Sequence, residues 1–384
     1  MIEQQPPGRE SGACAGGAQE GRRRATGPGG AKPWMRDEPE PPAAGAPPAG
    51  ARAAGSPAEA ARAAAGPGPL YAPHQAEGRF FNPWRRPPTR PRDVLRWKLG
   101  HNPYDKRTAP RVPTVANDGA YLGDPGAPDS ITWVGHSTFT VQDGGGVFLT
   151  DPHWGPRALL PRRHSPPGVP LAAVPPPAFA VLSHNHYDHL DAWTVRRLPA
   201  AVEWYVPLGL AGWLRRHRPA AASPAGVVEL DWWQSVRRGS WTLTCLPAQH
   251  WSNRFDARRN TTLWCSWLID SGRRRYYFAG DSGYFEGFAE IGRRCAPIDV
   301  AFLPIGAYEP RWFMAYPHMC PAEAHRAFLD LGARWMVPMH WGTFDLTDEP
   351  IDLPPRVLAE AVGAAGADPS RVRLPAIGER WILT

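Results

Sequence analysis

The sequence predicts an α/β protein, of α+β arrangement, in which two sheets are flanked by helices. Two observations carry this expectation. From Ile131 onward, apolar runs of strand length come first as pairs and then alternate with helix-length stretches, as βα units do. Four of the apolar runs also lead into residues that bind metals. Ala178-Phe179-Ala180-Val181-Leu182 precedes Ser183-His184-Asn185-His186-Tyr187-Asp188-His189-Leu190-Asp191. Trp241 to Leu246 leads towards His250, Tyr276 to Gly280 into Asp281, and Trp335 to Met339 into His340. Strand ends are where α/β proteins usually place chemistry.

At 384 residues the chain has room for one or two domains, and a hydrophobic fraction of 42% supports a sizeable core. The 47 prolines and 39 glycines are unevenly spread, which separates a tail from a body. Residues 1–70 are rich in Gly, Pro, Ala and Arg and almost lack large apolar side chains. They cannot bury enough surface to offset their ordering entropy, so a disordered tail is expected there and a folded domain over 71–384. No apolar run follows Met1, and Glu3, Glu10 and Glu20 interrupt the Arg-rich start, which argues against secretory and organelle-transit signals.

Within the body, Phe80, Phe81, Trp84, Leu95 and Trp97 stand among arginines, a mixture that suits packing or a membrane interface. Residues 131–141 and 147–150 read as a hairpin around Asp143-Gly144-Gly145-Gly146. A Pro/Arg-rich loop follows Asp151-Pro152 to about Pro177, and loops of that length are usually functional. Asp191 caps a predicted helix over 191–198. A strand over 203–206, a helix over 208–217 and strands over 227–230, 241–246, 263–269 and 275–278 follow. Residues 284–294 read as helix and 300–304 as strand. Pro321 starts a helix that Gly332 stops. A strand over 335–339, a helix over 356–364 and a last strand over 381–383 complete the chain.

Three histidines and two aspartates fall between His184 and Asp191, and imidazole with carboxylate suits zinc or a similar first-row ion. His184 and His186, two apart on an extended or turning backbone, can point the same way. Asp188 and His189 point elsewhere, as ligands of a second ion would. A surface loop rich in His by chance is the bland alternative. Taken singly, His250 and His340 read as buried histidines and Asp281, before Ser282-Gly283, as a turn residue. Together with the first stretch they make a set of seven.

His-x-His-x-Asp-His followed by His, Asp and His in this order resembles the metallo-β-lactamase superfamily. Further stretches resemble its N-acylphosphatidylethanolamine-hydrolysing phospholipases D and their bacterial relatives, from about residue 79 on. They are Phe81-Asn82-Pro83-Trp84, Trp133-Val134-Gly135-His136, Leu149-Thr150-Asp151-Pro152, Val206-Pro207-Leu208-Gly209, Glu229-Leu230-Asp231-Trp232-Trp233, Pro304-Ile305-Gly306-Ala307-Tyr308-Glu309-Pro310-Arg311-Trp312-Phe313-Met314 and His340-Trp341-Gly342-Thr343. The resemblance implies a four-layer αββα sandwich with residues 79–100 packed on it as an arm. It implies two zinc ions per chain, one on His184, His186 and His250, the other on Asp188, His189 and His340, with Asp281 bridging them. It implies a metal-bridging hydroxide that cleaves N-acylphosphatidylethanolamine to N-acylethanolamine and phosphatidic acid. Tyr187 and His318 would then contact substrate, and His318 could donate to a phosphate or leaving oxygen. Arg311 to Met314 would line an acyl groove or belong to the core. His136 is expected to be structural, Asp191 to orient a ligand histidine, and Trp232-Trp233 to pack under the sheet.

A net charge of +7, nearly all of it from arginine, fits attraction to anionic lipid or phosphate as well as a plain basic surface. No nucleic-acid-binding motif accompanies it. No run of some 18 apolar residues predicts a membrane-spanning helix. The five cysteines lack zinc-ribbon or redox spacing, and their odd number fits reduced thiols. The expected partners are therefore a phospholipid substrate and a membrane surface, with homodimerisation left open and a cytoplasmic, peripherally membrane-associated location. Two competing readings remain. One is a hydrolase of the same fold acting on a soluble phosphoester or phosphorylated lactone. The other is a non-enzymatic membrane-surface module with structural zinc, against which the intact set of seven argues.

Overall fold

Among the described residues, a short hairpin, β1 (Gln75–Ala76) and β2 (Arg79–Phe80), comes first, and helix α1 (Pro91–Leu99) follows it. The computed structural model describes residues 71–384 apart from 88–90, 107–108, 176–178, 219–225 and 256, so the expected tail over 1–70 lies outside the described residues. The segment around β2 is tied to the body through its polar groups. Phe80 N–H donates to Asn260 O at 2.7 Å, and Asn82 Nδ2 donates to His250 O at 2.9 Å. Trp84 stacks on Phe285 and Trp97 on Phe313, with ring centroids 4.8 and 5.2 Å apart.

Two sheets form the centre. The first has seven strands: β3 (Ser130–Gly135), β4 (Thr138–Asp143), β5 (Gly146–Thr150), β6 (Phe179–Val181), β7 (Glu203–Pro207), β8 (Val227–Leu230) and β15 (Arg380–Ile382), in the order β15-β3-β4-β5-β6-β7-β8. Its pairs are antiparallel as far as β5 and parallel from β5 to β8. The second has six: β9 (Ser235–Arg238), β10 (Trp241–Leu246), β11 (Ser266–Asp270), β12 (Arg275–Phe278), β13 (Val300–Pro304) and β14 (Trp335–Met339), ordered β14-β13-β12-β11-β10-β9. Here β12, β13 and β14 are parallel.

Side-chain alternation decides the layers. Along β5, β6 and β7, Phe148, Phe179, Val181 and Tyr205 enter one core cluster together with residues of the second sheet. Their neighbours Leu149, Ala180, Trp204 and Val206 enter another cluster, which also holds Val195 of α2 (Ala192–Val195) and Leu214 of α3 (Ala211–His217). Between the sheets, Phe139 meets Phe302 at 4.6 Å and Phe148 meets Tyr276 at 5.4 Å. Such aromatic pairs contribute about 0.5–1.5 kcal/mol each beyond area burial. Phe288 of α4 (Gly287–Cys295), Phe328 of α6 (Pro321–Leu331) and Leu358 of α7 (Pro354–Ala364) pack with the second sheet. The result is the expected αββα sandwich, and Trp232 and Trp233 lie buried in its core.

Residues 131–141 form two strands rather than one. Gly135 and His136 both take positive φ, +125° and +55°, and turn the chain between β3 and β4. Gly332, at φ +62°, ends α6 in the left-handed conformation expected of a glycine stop. Among the described residues, Cys245, Cys265 and Cys295 are free and buried. No helix among the described residues is long and apolar enough to cross a membrane.

Candidate metal centre

Parallel strands β6, β12 and β14 end on the same side of the fold, and the chain beyond them converges. His184 Nε2 and His250 Nε2 stand 2.9 and 3.2 Å from His186 Nδ1. Asp281 Oδ2 is 3.8 Å from His184 Nε2 and 3.7 Å from His250 Nε2. A second group meets the same carboxylate. His189 Nε2 is 3.2 Å from Asp281 Oδ2, and His340 Nε2 is 3.1 Å from Asp281 Oδ1. Asp188 Oδ2 lies 3.4 Å from His189 Nε2 and 3.3 Å from His340 Nε2. All seven residues expected from the sequence are thus brought together: Asp281 groups with His184, His186 and His250, and it also meets His189 and His340 of the second group, which His136 joins.

Hydrogen bonding behind the rings fixes which nitrogens face inward. His250 Nδ1 donates to Pro317 O at 2.9 Å, which leaves Nε2 bare. His189 Nδ1 donates to Asp151 Oδ2 at 2.6 Å, so Nε2 is the nitrogen that faces the Asp188 and Asp281 carboxylates. His189 Nε2, His340 Nε2 and Asp281 Oδ1 are buried with no hydrogen-bond partner among the described residues. Imidazole nitrogens crowded inward around shared carboxylates fit metal ions, which would take the place of the protons there.

The electrostatics agree. Burial holds His184 well below the usual histidine range and lowers His186 to about 3 and His250 to about 4, so all three are neutral at neutral pH, as ligation requires. Burial also opposes charge on His189 and His340. Their carboxylate neighbours outweigh it, Asp281 foremost, holding His189 well above its ordinary value and His340 at about 9. Burial likewise disfavours charge on Asp188 and Asp281, but the surrounding imidazoles, His189 first, keep both carboxyls well below the usual range. The second group therefore attracts positive charge.

His318, after α5 (Arg311–Met314), joins the cluster with Nδ1 3.8 Å from Asp281 Oδ2, and burial keeps its ring neutral. It lines a cavity of about 330 Å³ that opens above the cluster, floored by His186, Asp188 and Asp281. Val94, Trp97, Phe313, Met314 and Leu346 form an apolar wall. Phe313 and Met314 thus line a groove, as one of the two sequence readings had it. Arg311 turns away to Glu323 at 2.8 Å and to His318 O at 3.0 Å.

Tyr187 is differently placed. Arg254 stacks over its ring at 3.9 Å and its hydroxyl accepts from Phe255 N–H at 3.1 Å. It is not among the described residues lining the cavity. Asp191 orients none of the seven. Its carboxylate accepts from the Trp193 and Thr194 N–H groups as the cap of α2 and from Gly155 N–H. Asp151 does what was expected of Asp191, since it accepts from Ser183 N–H as well as from His189. His136, expected to be structural, reaches the cluster itself, with Nε2 3.0 Å from Asp188 Oδ2.

Comparison with known proteins agrees with this geometry. The profile of the beta-lactamase superfamily domain matches residues 147–341. N-acyl-phosphatidylethanolamine-hydrolyzing phospholipase D 1 of Caenorhabditis elegans is 42% identical over 59% of this chain and 67% of its own length. An uncharacterized protein of Mycobacterium tuberculosis is 39% identical over 75% of this chain and 77% of its own length. Among solved structures, a possible metal-dependent hydrolase from Veillonella parvula shares the fold, with a TM-score of 0.53 and 16% identity over 67% of this chain and all of that one. The chain belongs to the metallo-β-lactamase superfamily: it is a metal-dependent hydrolase of that fold, similar to the phospholipases D that hydrolyse N-acylphosphatidylethanolamine.

Proposed function

We propose that the protein is a phospholipase D-type phosphodiesterase that cleaves N-acylphosphatidylethanolamine to N-acylethanolamine and phosphatidic acid, with two zinc ions as cofactor. The observation that carries this reading is the position of Asp281. Its Oδ1 faces His340 at 3.1 Å and its Oδ2 faces His189 at 3.2 Å and the His184/His250 pair beyond. A single carboxylate between two groups of bare imidazole nitrogens suits two cations. In this reading His184, His186 and His250 hold one ion, Asp188, His189 and His340 the other, and Asp281 both. Such a pair, when bound, supplies Lewis acidity and water acidified to a pKa of roughly 7.

The chain's own residues supply the rest. The apolar wall of the cavity takes an acyl chain out of water beside the cluster. His318, neutral and at the cavity's edge, donates a hydrogen bond to a phosphoryl or leaving oxygen. Tyr187 acts through the turn that carries His186 and Asp188, because its ring and hydroxyl are already engaged. Residues 71–384 are the hydrolase domain, and substrate is met at a membrane surface. The exposed Val94, Leu95 and Leu99 of α1, the helix whose Trp97 lines the cavity, support that last step.

The test is a product assay with the metal-loaded full chain. N-acylphosphatidylethanolamine vesicles, phosphatidylcholine vesicles and a soluble phosphodiester are compared, and released N-acylethanolamine is measured by mass spectrometry. Release from the first substrate well above the other two is expected. Equal turnover of the soluble diester favours the soluble phosphoester or lactone reading. No turnover of any, with metal bound, favours the binding module.

A further inference from the structure

Among the described residues, the wall of the cavity contains one arginine or lysine, Arg259, and they offer it no hydrogen-bonding or ion-pair partner. Its place is set by a local clasp. Asn260 N–H donates to Ser252 O at 2.8 Å, and Ser252 N–H donates to Asn260 Oδ1 at 3.1 Å. Asn260 takes a left-handed φ of +60°, and its carbonyl accepts from Phe80 N–H. The clasp brings together the residues just outside and just inside it. The Arg259 guanidinium lies 4.6 Å over the Trp251 ring, and the Trp251 ring packs 4.5 Å from that of His186. A permanent cation is therefore stacked one indole away from the cluster, open to the cavity.

A guanidinium stacked on an indole, with no carboxylate partner among the described residues, suits phosphate oxygens, which it can bind two at a time. The facing apolar side chains, Trp97, Phe313 and Met314 among them, offer nothing to an anion. We infer that Arg259 is a specificity-determining residue, whose guanidinium receives an anionic phosphoryl oxygen and so selects phosphate-bearing lipid over neutral ester. This rests on the phosphodiesterase reading of the same cavity.

Calorimetric titration of the metal-loaded full chain tests it without turnover. Dihexanoylphosphatidate, inorganic phosphate and uncharged dihexanoylglycerol are the probes, and Arg259→Gln and Arg259→Lys the variants. Arg259→Gln is expected to weaken dihexanoylphosphatidate at least tenfold and leave dihexanoylglycerol unchanged, with Arg259→Lys in between. An equal loss for inorganic phosphate makes phosphate itself the group that is read. A loss confined to dihexanoylphosphatidate makes it the lipid headgroup. Unchanged dihexanoylphosphatidate affinity, or an equal loss for dihexanoylglycerol, overturns the inference. Turnover adds a second readout: KM for the phosphodiester should rise about tenfold in Arg259→Gln while kcat moves less than threefold. A wild-type chain that turns over no phosphodiester would end the functional reading, and calorimetry would still decide the role of Arg259.

Discussion

His136 Nε2 lies 3.0 Å from Asp188 Oδ2, and the His136 ring packs 4.1 Å from that of His340. One imidazole thus touches two members of the second candidate group while belonging to neither strand end that carries them. Burial lowers His136 to about 3, so the ring is neutral and Nε2–H donates to the carboxylate. A donor behind a ligating carboxylate fixes which lone pair points inward. Partners of this kind typically govern metal affinity by about 10–100-fold. If two ions bind as proposed, His136→Ala should therefore loosen one by that factor and spare the other. Competition with a chromophoric chelator would show two separated steps in place of a near-coincident pair. Unaltered affinities for both would return His136 to a packing role.

Asp151 holds the turn from behind. It accepts from Ser183 N–H at 2.6 Å, from Ser183 Oγ at 2.5 Å and from His189 Nδ1 at 2.6 Å, with no exposure to solvent. Asp151→Ala leaves these donors buried and unpaired, a change that costs about 3–5 kcal/mol where a buried charged pair is broken. A clear fall in melting temperature should accompany loss of metal. Asp151→Asn keeps the shape and one acceptor, so it should unfold later than Asp151→Ala yet still bind metal weakly. Identical melting of Asp151→Ala and wild type would show that the turn is held by other contacts.

The histidines fall into two classes that bend the pH profile of the chelator-stripped protein in opposite directions. His136, His184, His186 and His250 have folded pKa values below the ordinary 6.5. Below pH 6.5 the unfolded chain takes up protons that these buried rings refuse, so stability falls as pH falls. His189 and His340 are raised, His340 to about 9. Their contribution is fully present below pH 6.5 and is lost as pH rises towards 9. Stability of the stripped protein should therefore peak near pH 6.5. With metal bound the alkaline decline should disappear, because metal replaces the protons and binds more tightly as they leave. Denaturant titrations across this range, with and without chelator, would measure both curves. A stripped protein that gains stability steadily from pH 6.5 to 9 would contradict the assignment.

Gly306 allows His340 its position. A Cβ at Gly306 would lie 2.1 Å from the His340 carbonyl oxygen. His340 itself sits at a left-handed φ of +63°, with its N–H donating to His136 O at 3.1 Å. Gly306→Ala must push the β14 end outward, at a cost of about 1–3 kcal/mol as for overpacking elsewhere. Metal affinity should fall along with stability. Gly332→Ala supplies the comparison, since nothing lies within 4 Å of its added carbon, although its φ of +62° still brings some strain. It should lower stability and leave metal affinity alone.

The candidate cluster was legible because its residue types are rare and recur after apolar runs. His184 and His186, two apart beyond β6, need only an extended backbone to face one way. Asp151 was not legible as a partner of His189. Its role depends on β5 lying parallel beside β6, with Thr150 opposite Val181, which no local pattern encodes. Asp191 misled for the converse reason. A carboxylate beside the cluster in sequence was claimed by the cap of α2 and by Gly155 N–H. The sandwich could be read because the core strands are long and apolar. The edge strand β9, Ser-Val-Arg-Arg, and helix α1, which carries Arg92, Arg96 and Lys98, bury too little for periodicity to reveal them. The turn at Gly135-His136 was hidden because the polar residues beyond it, Ser137, Thr138 and Thr140 among them, are buried and alternate with apolar ones as a continuing strand would.

Helix α1 points to where a membrane contact should be sought. Of the five residues that the sequence suits to packing or a membrane interface, Trp84 and Trp97 are engaged within the fold. Trp84 stacks on Phe285 and donates to Gln249 Oε1 at 3.0 Å, and Trp97 donates to Asp348 Oδ1 at 2.9 Å. Leu95 and Leu99 are 62% and 77% exposed, far more than packing would leave them, and Arg92, Arg96 and Lys98 stand on the same helix. Apolar side chains with basic neighbours suit an anionic lipid surface. Each basic residue near such a surface contributes about 1 kcal/mol, a term that salt screens within about 8 Å at physiological ionic strength. The apolar part is not screened. Binding to anionic vesicles should therefore fall but persist at high salt. Leu95→Ser with Leu99→Ser should remove most of what persists, whereas the melting temperature should hardly move because both side chains already face water. Turnover on vesicles should drop in parallel while turnover of a short-chain monomeric diester stays constant. Co-sedimentation at low and high salt measures the first effect and the paired assays the second. If the double variant binds vesicles as wild type does at high salt, α1 is not the docking helix. If the monomeric diester loses as much turnover as vesicles do, the two leucines shape the cavity rather than the membrane contact.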